Sequence, residues 1–167
     1  IVITGDGEKS FISGADISQF GTVRSDAATT VEYDRASGQA LSSLATLEKP
    51  VIAMIHGICF GGGCSVDVMC DLRLGADDAR FCIRAARLGI AYPVERGVER
   101  LVHIVGAANA TEILLTARVY NAEEAHHMGL VNRILPKADL ESYTRDYALK
   151  LADNAPLSVA AHKFFVR

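Results

Sequence analysis

The chain has 167 residues, half of them hydrophobic, which is enough for a sizeable buried core and too apolar for a disordered segment. Its 17 basic and 20 acidic residues leave a formal net charge of −3, and Lys9, Lys49, Lys137, Lys150 and Lys163 are scattered, which excludes a nucleic-acid footprint. Cys59, Cys64, Cys70 and Cys82 sit in apolar stretches with no CxxC pair and no zinc-finger histidine spacing, so they read as buried reduced thiols. No signal-peptide pattern and no apolar run of membrane-spanning length is present, and a soluble, reducing, cytoplasmic location without membrane contact is expected.

In chain order, Ile1 to Thr4 is a short apolar strand stopped by Gly5-Asp6-Gly7, and a loop leads through Phe11-Ile12-Ser13-Gly14-Ala15-Asp16-Ile17. From about Ala27 to Leu47, Val31, Ala36, Ala40, Leu41, Leu44 and Leu47 recur at helical spacing until Pro50. Val51 to Ile55 is a continuous apolar run, as in a strand buried on both faces of a mostly parallel sheet, and Leu72 to Gly75 is the next strand. Strand, helix and strand in this order imply crossover units and an α/β fold.

From about Gly97 to Thr116 the pattern is helical with a break at Gly106, and Asn121-Ala122-Glu123-Glu124 caps a short helix ending at Gly129. Leu130 to Leu135 alternates like a strand, Pro136 stops it, and Ala138 to Asn154 and Pro156 to Arg167 read as two closing helices. No linker, repeat or low-complexity stretch interrupts the chain, so one domain over 1–167 is expected. It opens in a strand-like Ile-Val-Ile without an initiator Met and closes inside a helical pattern, and both ends are expected to be missing from a longer protein.

The most informative segment runs from Lys49 to Asp71, where an apolar strand enters Gly61-Gly62-Gly63 and a helix follows. Glycine lacks a Cβ, so backbone N–H groups can approach a bound oxygen, and the helix start adds partial positive charge. This turn is a candidate oxyanion hole. The competing reading is that the glycines only permit tight helix–strand packing.

Gly14-Ala15-Asp16-Ile17, Lys49-Pro50-Val51-Ile52-Ala53, Gly61-Gly62-Gly63-Cys64, Cys70-Asp71, Phe81, Arg87-Leu88-Gly89, Arg100-Leu101, Gly106 and Ala125…Gly129-Leu130-Val131, in this order, resemble the enoyl-CoA hydratase/isomerase (crotonase) family. The resemblance implies a crotonase-like spiral of ββα units, a coenzyme A thioester as substrate with no separate cofactor, and assembly as a homotrimer or dimer of trimers. It also implies an N-terminal hairpin and helix before Ile1, and C-terminal helices beyond Arg167. By resemblance, the amides of Ala15 and Gly62 form the oxyanion hole, and the loop before Asp16 borders the nucleotide end of coenzyme A. Gly14, Asp16, Ile17, Gly61, Ser65 and Ala85 fall at substrate-binding positions.

The chain departs from the family at its acid–base pair. The two glutamates that hold water in typical hydratases fall on Ser65 and Ala85, so the usual two-carboxylate mechanism cannot operate as written. Asp67 lies two residues past Ser65, about 200° around a helix, and reads as structural. Glu95 lies in the loop that covers the reacting carbons in this family and is the candidate acid/base; a solvated glutamate paired with Arg96 is its alternative.

Ser65 lacks the second glycine of a nucleophile elbow. His56 reads as a satisfied strand-corner histidine, His126 and His127 as surface residues, and Arg84 and Arg87 as solvated or phosphate-facing cations. The resulting expectation is an enzyme that stabilises a thioester enolate during hydration or isomerisation of an enoyl-CoA. A non-catalytic acyl-CoA-binding or assembly subunit and a thioester hydrolase acting through Ser65 remain alternatives.

Overall fold

The computed structural model describes residues 1–23, 25–90, 92 and 97–166. Its elements are β1 (Val2–Thr4), β2 (Ser10–Ile12), a 3-10 turn (Ile17–Gln19), α1 (Phe20–Val23), α2 (Ala27–Thr46), β3 (Ile52–Ile55), β4 (Ile58–Phe60) and α3 (Gly62–Met69). There follow β5 (Leu72–Ala76), β6 (Arg80–Cys82), a 3-10 turn (Ala85–Leu88), α4 (Val98–Thr116), β7 (Tyr120–Asn121), α5 (Ala122–His127), β8 (Arg133–Leu135), α6 (Lys137–Ala152) and α7 (Pro156–Val166).

The first six strands are dealt alternately to two sheets, after which β7 stays in the second and β8 returns to the first. The first has the order β1-β3-β5-β8 and is parallel throughout; the second has the order β2-β4-β6-β7, parallel except for the antiparallel β6–β7 pair. After a strand in the first sheet the chain turns a corner, adds a strand to the second and returns through helix, which is the ββα spiral expected from the resemblance. The corner between β3 and β4 needs Gly57, whose φ is +55° and where a Cβ would lie 2.1 Å from the Lys9 carbonyl oxygen.

β3 is the wall between two apolar clusters, as its unbroken apolar composition requires. Ile52 points to one side, where it packs with Leu74, Ala76 and Leu140 of α6. Val51, Ala53 and Ile55 point to the other, with Phe11, Cys59, Phe81 and Leu101. Two further sequence signals appear as read. α4 departs from helical geometry at Gly106 (φ 77°, ψ 159°), and Asn121 and Glu124 cap α5 reciprocally at 2.8 and 2.9 Å.

The short strands of the second sheet are not visible as periodicity. β2 lies in the segment read as loop, and β4 and β6 were absorbed into the connections. Leu130 and Val131, read as strand, are buried in the larger cluster and the strand proper begins at Arg133. Of the apolar positions that define the face of α2, only Leu41 is buried, and Val31 is 68% exposed. Spacing identifies such a stripe but not what covers it. α7 is tied down by Lys163, whose ammonium bonds Asp71 Oδ2 at 2.8 Å and the Lys49 carbonyl at 2.9 Å, while the same Asp71 oxygen accepts the Val51 N–H at 2.7 Å. Among the described residues, no helix is long and apolar enough to cross a membrane.

Candidate functional site

β2, β4 and β6 are parallel neighbours, so the segments leaving their carboxyl ends emerge side by side. These segments hold Gly14-Ala15, Gly61-Gly62 and Ile83 to Ala85. Contact between the first two is direct: a Cβ on Gly61 would lie 4.0 Å from the Gly14 Cα, and one on Gly62 would lie 3.7 Å from the Ala15 nitrogen. Residues singled out 47 positions apart in sequence therefore share one small region.

The three glycines do different work. Gly61 has φ +51° and precedes α3 as its N-cap, a backbone conformation that a side chain disfavours. Gly63 is a packing residue, since a Cβ there would lie 2.5 Å from the Ile12 carbonyl oxygen. Gly62 is under no such pressure. It opens α3, where the first N–H groups have no intrahelical acceptor, and among the described residues neither its amide nor that of Ala15 has a hydrogen-bond acceptor. The packing reading of the glycines thus applies to Gly63, and the open amide belongs to Gly62.

Ser65 is 2% exposed. Its hydroxyl is hydrogen-bonded to the hydroxyl of Tyr92, which donates to the Gly61 carbonyl at 3.1 Å. Sequence reasoning passed over Tyr92. The available signal was a phenol in the same loop as Glu95. Ala85 is half-buried in the 3-10 turn, and its carbonyl accepts the Ile90 N–H at 3.0 Å. Glu95 and Arg96 lie outside the described residues.

The far end of α3 is closed. Asp67 is fully buried, with Oδ2 accepting the Cys59 thiol at 3.5 Å and Oδ1 without a partner among the described residues. Burial pushes its carboxyl up to about 7 despite the opposing pull of the Arg73 guanidinium. That guanidinium, itself 5% exposed, bonds the carbonyls of Leu130 at 2.7 Å, Cys70 at 2.9 Å and Asp67 at 3.4 Å. Asp67 thus sits among Cys59 and Arg73 and not beside the Ser65–Tyr92 pair.

All four cysteines are free and buried. Ligand atoms of Cys59, Cys64 and Asp67 lie within 4.8 Å of one another, but Cys64 donates to the Cys59 carbonyl at 3.0 Å and burial holds the Cys59 thiol well above its usual range. The trio is joined by hydrogen bonds inside the core.

Asp16 is engaged locally. Its carboxylate accepts the Ser18 hydroxyl at 2.6 Å, the Ser18 amide at 3.0 Å and the Gln19 side chain at 3.0 Å, bonds that lower its pKa, the Ser18 hydroxyl most. It caps the turn that leaves Ile17 65% exposed. Arg84 and Arg87 are exposed, and the Arg84 guanidinium lies 4.9 Å from the centre of the Phe60 ring. His56 is buried with Nε2 2.9 Å from the Gly7 carbonyl oxygen, and His126 and His127 are exposed.

Residues 1–167 match the family described as enoyl-CoA hydratase/isomerase. The chain belongs to this enoyl-CoA hydratase/isomerase family. It is 36% identical over 166 residues to the short-chain-enoyl-CoA hydratase of Clostridium acetobutylicum, covering 98% of this chain and 61% of that protein. It is 37% identical over 166 residues to the carnitinyl-CoA dehydratase of Escherichia coli (strain K12), covering 99% of this chain and 62% of that protein. Among solved structures, an enoyl-CoA hydratase/carnithine racemase from Magnetospirillum magneticum superposes with a TM-score of 0.95 at 33% identity, covering 99% of this chain and 61% of that one. The enoyl-CoA hydratase from Bacillus anthracis gives 0.92 at 32% identity, with 99% and 63% covered. The chain therefore spans about three-fifths of the length of these family members.

Proposed function

We propose that this chain is the central part of an acyl-CoA enzyme that holds a thioester carbonyl on the amides of Ala15 and Gly62 and stabilises the enolate formed beside it. The observation that carries the reading is a pair of amides from two strand ends, without an acceptor among the described residues, meeting at the start of α3 in a member of this family. Chemistry next to a thioester moves negative charge onto the carbonyl oxygen. Two fixed N–H donors and a helix start bind that charge more strongly in the transition state than in the ground state.

Hydration adds the water oxygen to the β-carbon and a proton to the α-carbon; isomerisation removes and returns protons across the same enolate. Ser65 and Ala85 supply no carboxylate for either, so the proton carrier is assigned to Glu95. Gly14, Gly61, Ser65 and Ala85 would line the acyl end, with Asp16 and Ile17 toward the nucleotide. Coenzyme A enters as part of the substrate. Residues 1–167 are proposed to form the central part of a single crotonase-like domain, and the full-length protein to act in the cytoplasm as a homotrimer or dimer of trimers.

A second reading, an acyl-CoA-binding or assembly subunit without turnover, is favoured by one observation: the Ser65 hydroxyl is engaged by Tyr92 and no carboxylate occupies either glutamate position. The same engagement counts against thioester hydrolysis, because none of the described histidines contacts Ser65. The deciding experiment incubates the full protein with crotonyl-CoA and follows the absorbance of the conjugated thioester, with acyl-CoA binding scored separately by thermal shift. Turnover that falls about 10²-fold in Glu95→Gln is expected. Binding with no turnover selects the second reading, and neither binding nor turnover ends both.

A further inference from the structure

We infer that Tyr92 is a positioning residue for the proposed thioester site, acting through the peptide plane that joins Gly61 to Gly62. The inference rests on the reading of Gly62 as an oxyanion donor and goes beyond it by naming what aims and strengthens that donor.

In a trans peptide the C=O and N–H point in opposite directions, so fixing one fixes the other. The Gly61 carbonyl and the Gly62 N–H belong to one such plane. That carbonyl accepts two hydrogen bonds, from the Ser65 amide at 3.2 Å and from the Tyr92 hydroxyl at 3.1 Å. The Gly61 N–H, in the preceding peptide plane, donates to the Cys82 carbonyl at 2.8 Å, which anchors that neighbouring plane to β6. The anchoring matters because Gly61, at φ +51° and ψ −107°, has no side chain of its own to restrict rotation. Two donors on the carbonyl also polarise the peptide and make the opposite N–H a stronger donor.

Ser65 completes the device. The single proton of the Tyr92 phenol is directed at Gly61, so its oxygen accepts from the Ser65 hydroxyl, and the chain of donation runs Ser65, Tyr92, Gly61 and out through the Gly62 N–H. The residue that replaces the family's first glutamate thus holds the phenol that sets the oxyanion donor. What Ser65 lacks as a carboxylate it supplies by orienting an amide.

The test uses butyryl-CoA labelled with ¹³C at the thioester carbonyl, which has no double bond to react, bound to the full protein and to Tyr92→Phe. Difference infrared spectroscopy reads the carbonyl stretch. The wild type is expected to shift the band to lower frequency on binding. Tyr92→Phe is expected to shift it clearly less, while binding butyryl-CoA within about threefold and melting within about 4 °C of wild type, as suits loss of one hydrogen bond. Equal shifts in the two proteins overturn the role of Tyr92 and leave the thioester site standing. No shift in the wild type overturns the oxyanion reading of Gly62, and with it this inference. Tyr92→Phe that melts far below wild type or loses butyryl-CoA altogether overturns it as well, because Tyr92 would then be a structural strut.

Discussion

The two ends of α3 lie a few residues apart and are finished in opposite ways. At its start, the Gly62 amide has no acceptor among the described residues, and the carbonyl behind it is held by Ser65 and Tyr92. At its end, the carbonyls of Val66 and Asp67 accept the Cys70 amide, Arg73 bonds Asp67 and Cys70, and Arg100 bonds Val68 at 3.3 Å. An eight-residue helix exposes unmatched groups at both ends by construction. Closing one with two buried or half-buried arginines and leaving the other open is what separates the anchored part of this helix from the part proposed to work.

Breaking the closed end should have the largest effect. Arg73→Met takes a donor from three carbonyls and removes the cation facing a buried carboxyl, so a loss of about 3–5 kcal/mol in stability is expected by denaturant titration. Its effect on the open end is indirect, through unfolding. Gly62→Pro is the complementary change. Proline is tolerated at the first position of a helix, and a Cβ there meets only ordinary contact at 3.7 Å, so the fold should survive while the amide is deleted. Turnover is expected to fall about 10²–10³-fold with the unfolding midpoint close to wild type; an unchanged rate removes Gly62 from the chemistry.

A smaller effect separates the ends by pH. The Asp67 carboxyl is raised from 3.8 to about 7 in the folded chain, so the native state keeps its proton while the unfolded state loses it. Its contribution to stability is whole below about pH 3.8 and is lost as pH rises to about 7. The hydrogen-bonded carboxylates Asp16, Asp26, Glu32 and Glu124 have lowered pKa values and act in the opposite sense at lower pH. Denaturant midpoints at pH 5 and pH 8 should therefore decline with pH in the wild type and flatten in Asp67→Asn, with little change in butyryl-CoA affinity.

Legibility followed the length of the signal. Gly106, the Asn121–Glu124 capping box and the apolar run of β3 are local patterns whose meaning does not depend on distant residues, and each was readable. β2, β4 and β6 are three residues long, too short for any period, and exist because neighbours 22 to 48 residues away supply parallel partners. The glycine turn was readable as a backbone feature, but dividing its residues into a conformational, a working and a packing glycine needed the approach of Ile12 and Ala15. Tyr92 was hidden for the same reason, since its partners are 27 and 31 positions away.

Because strand ends of successive coils assemble the region around Gly62, the proposed anion cradle is written in the main chain, whereas proton transfer is written in side chains. A point mutation can erase a carboxylate, as proposed at Ser65 and Ala85, but it cannot erase an amide unless it introduces proline. Such a scaffold inherits its grip on a thioester almost unconditionally and holds its acid–base chemistry on loan, so loss or relocation of the acid–base pair leaves a binding pocket from which a different reaction can start.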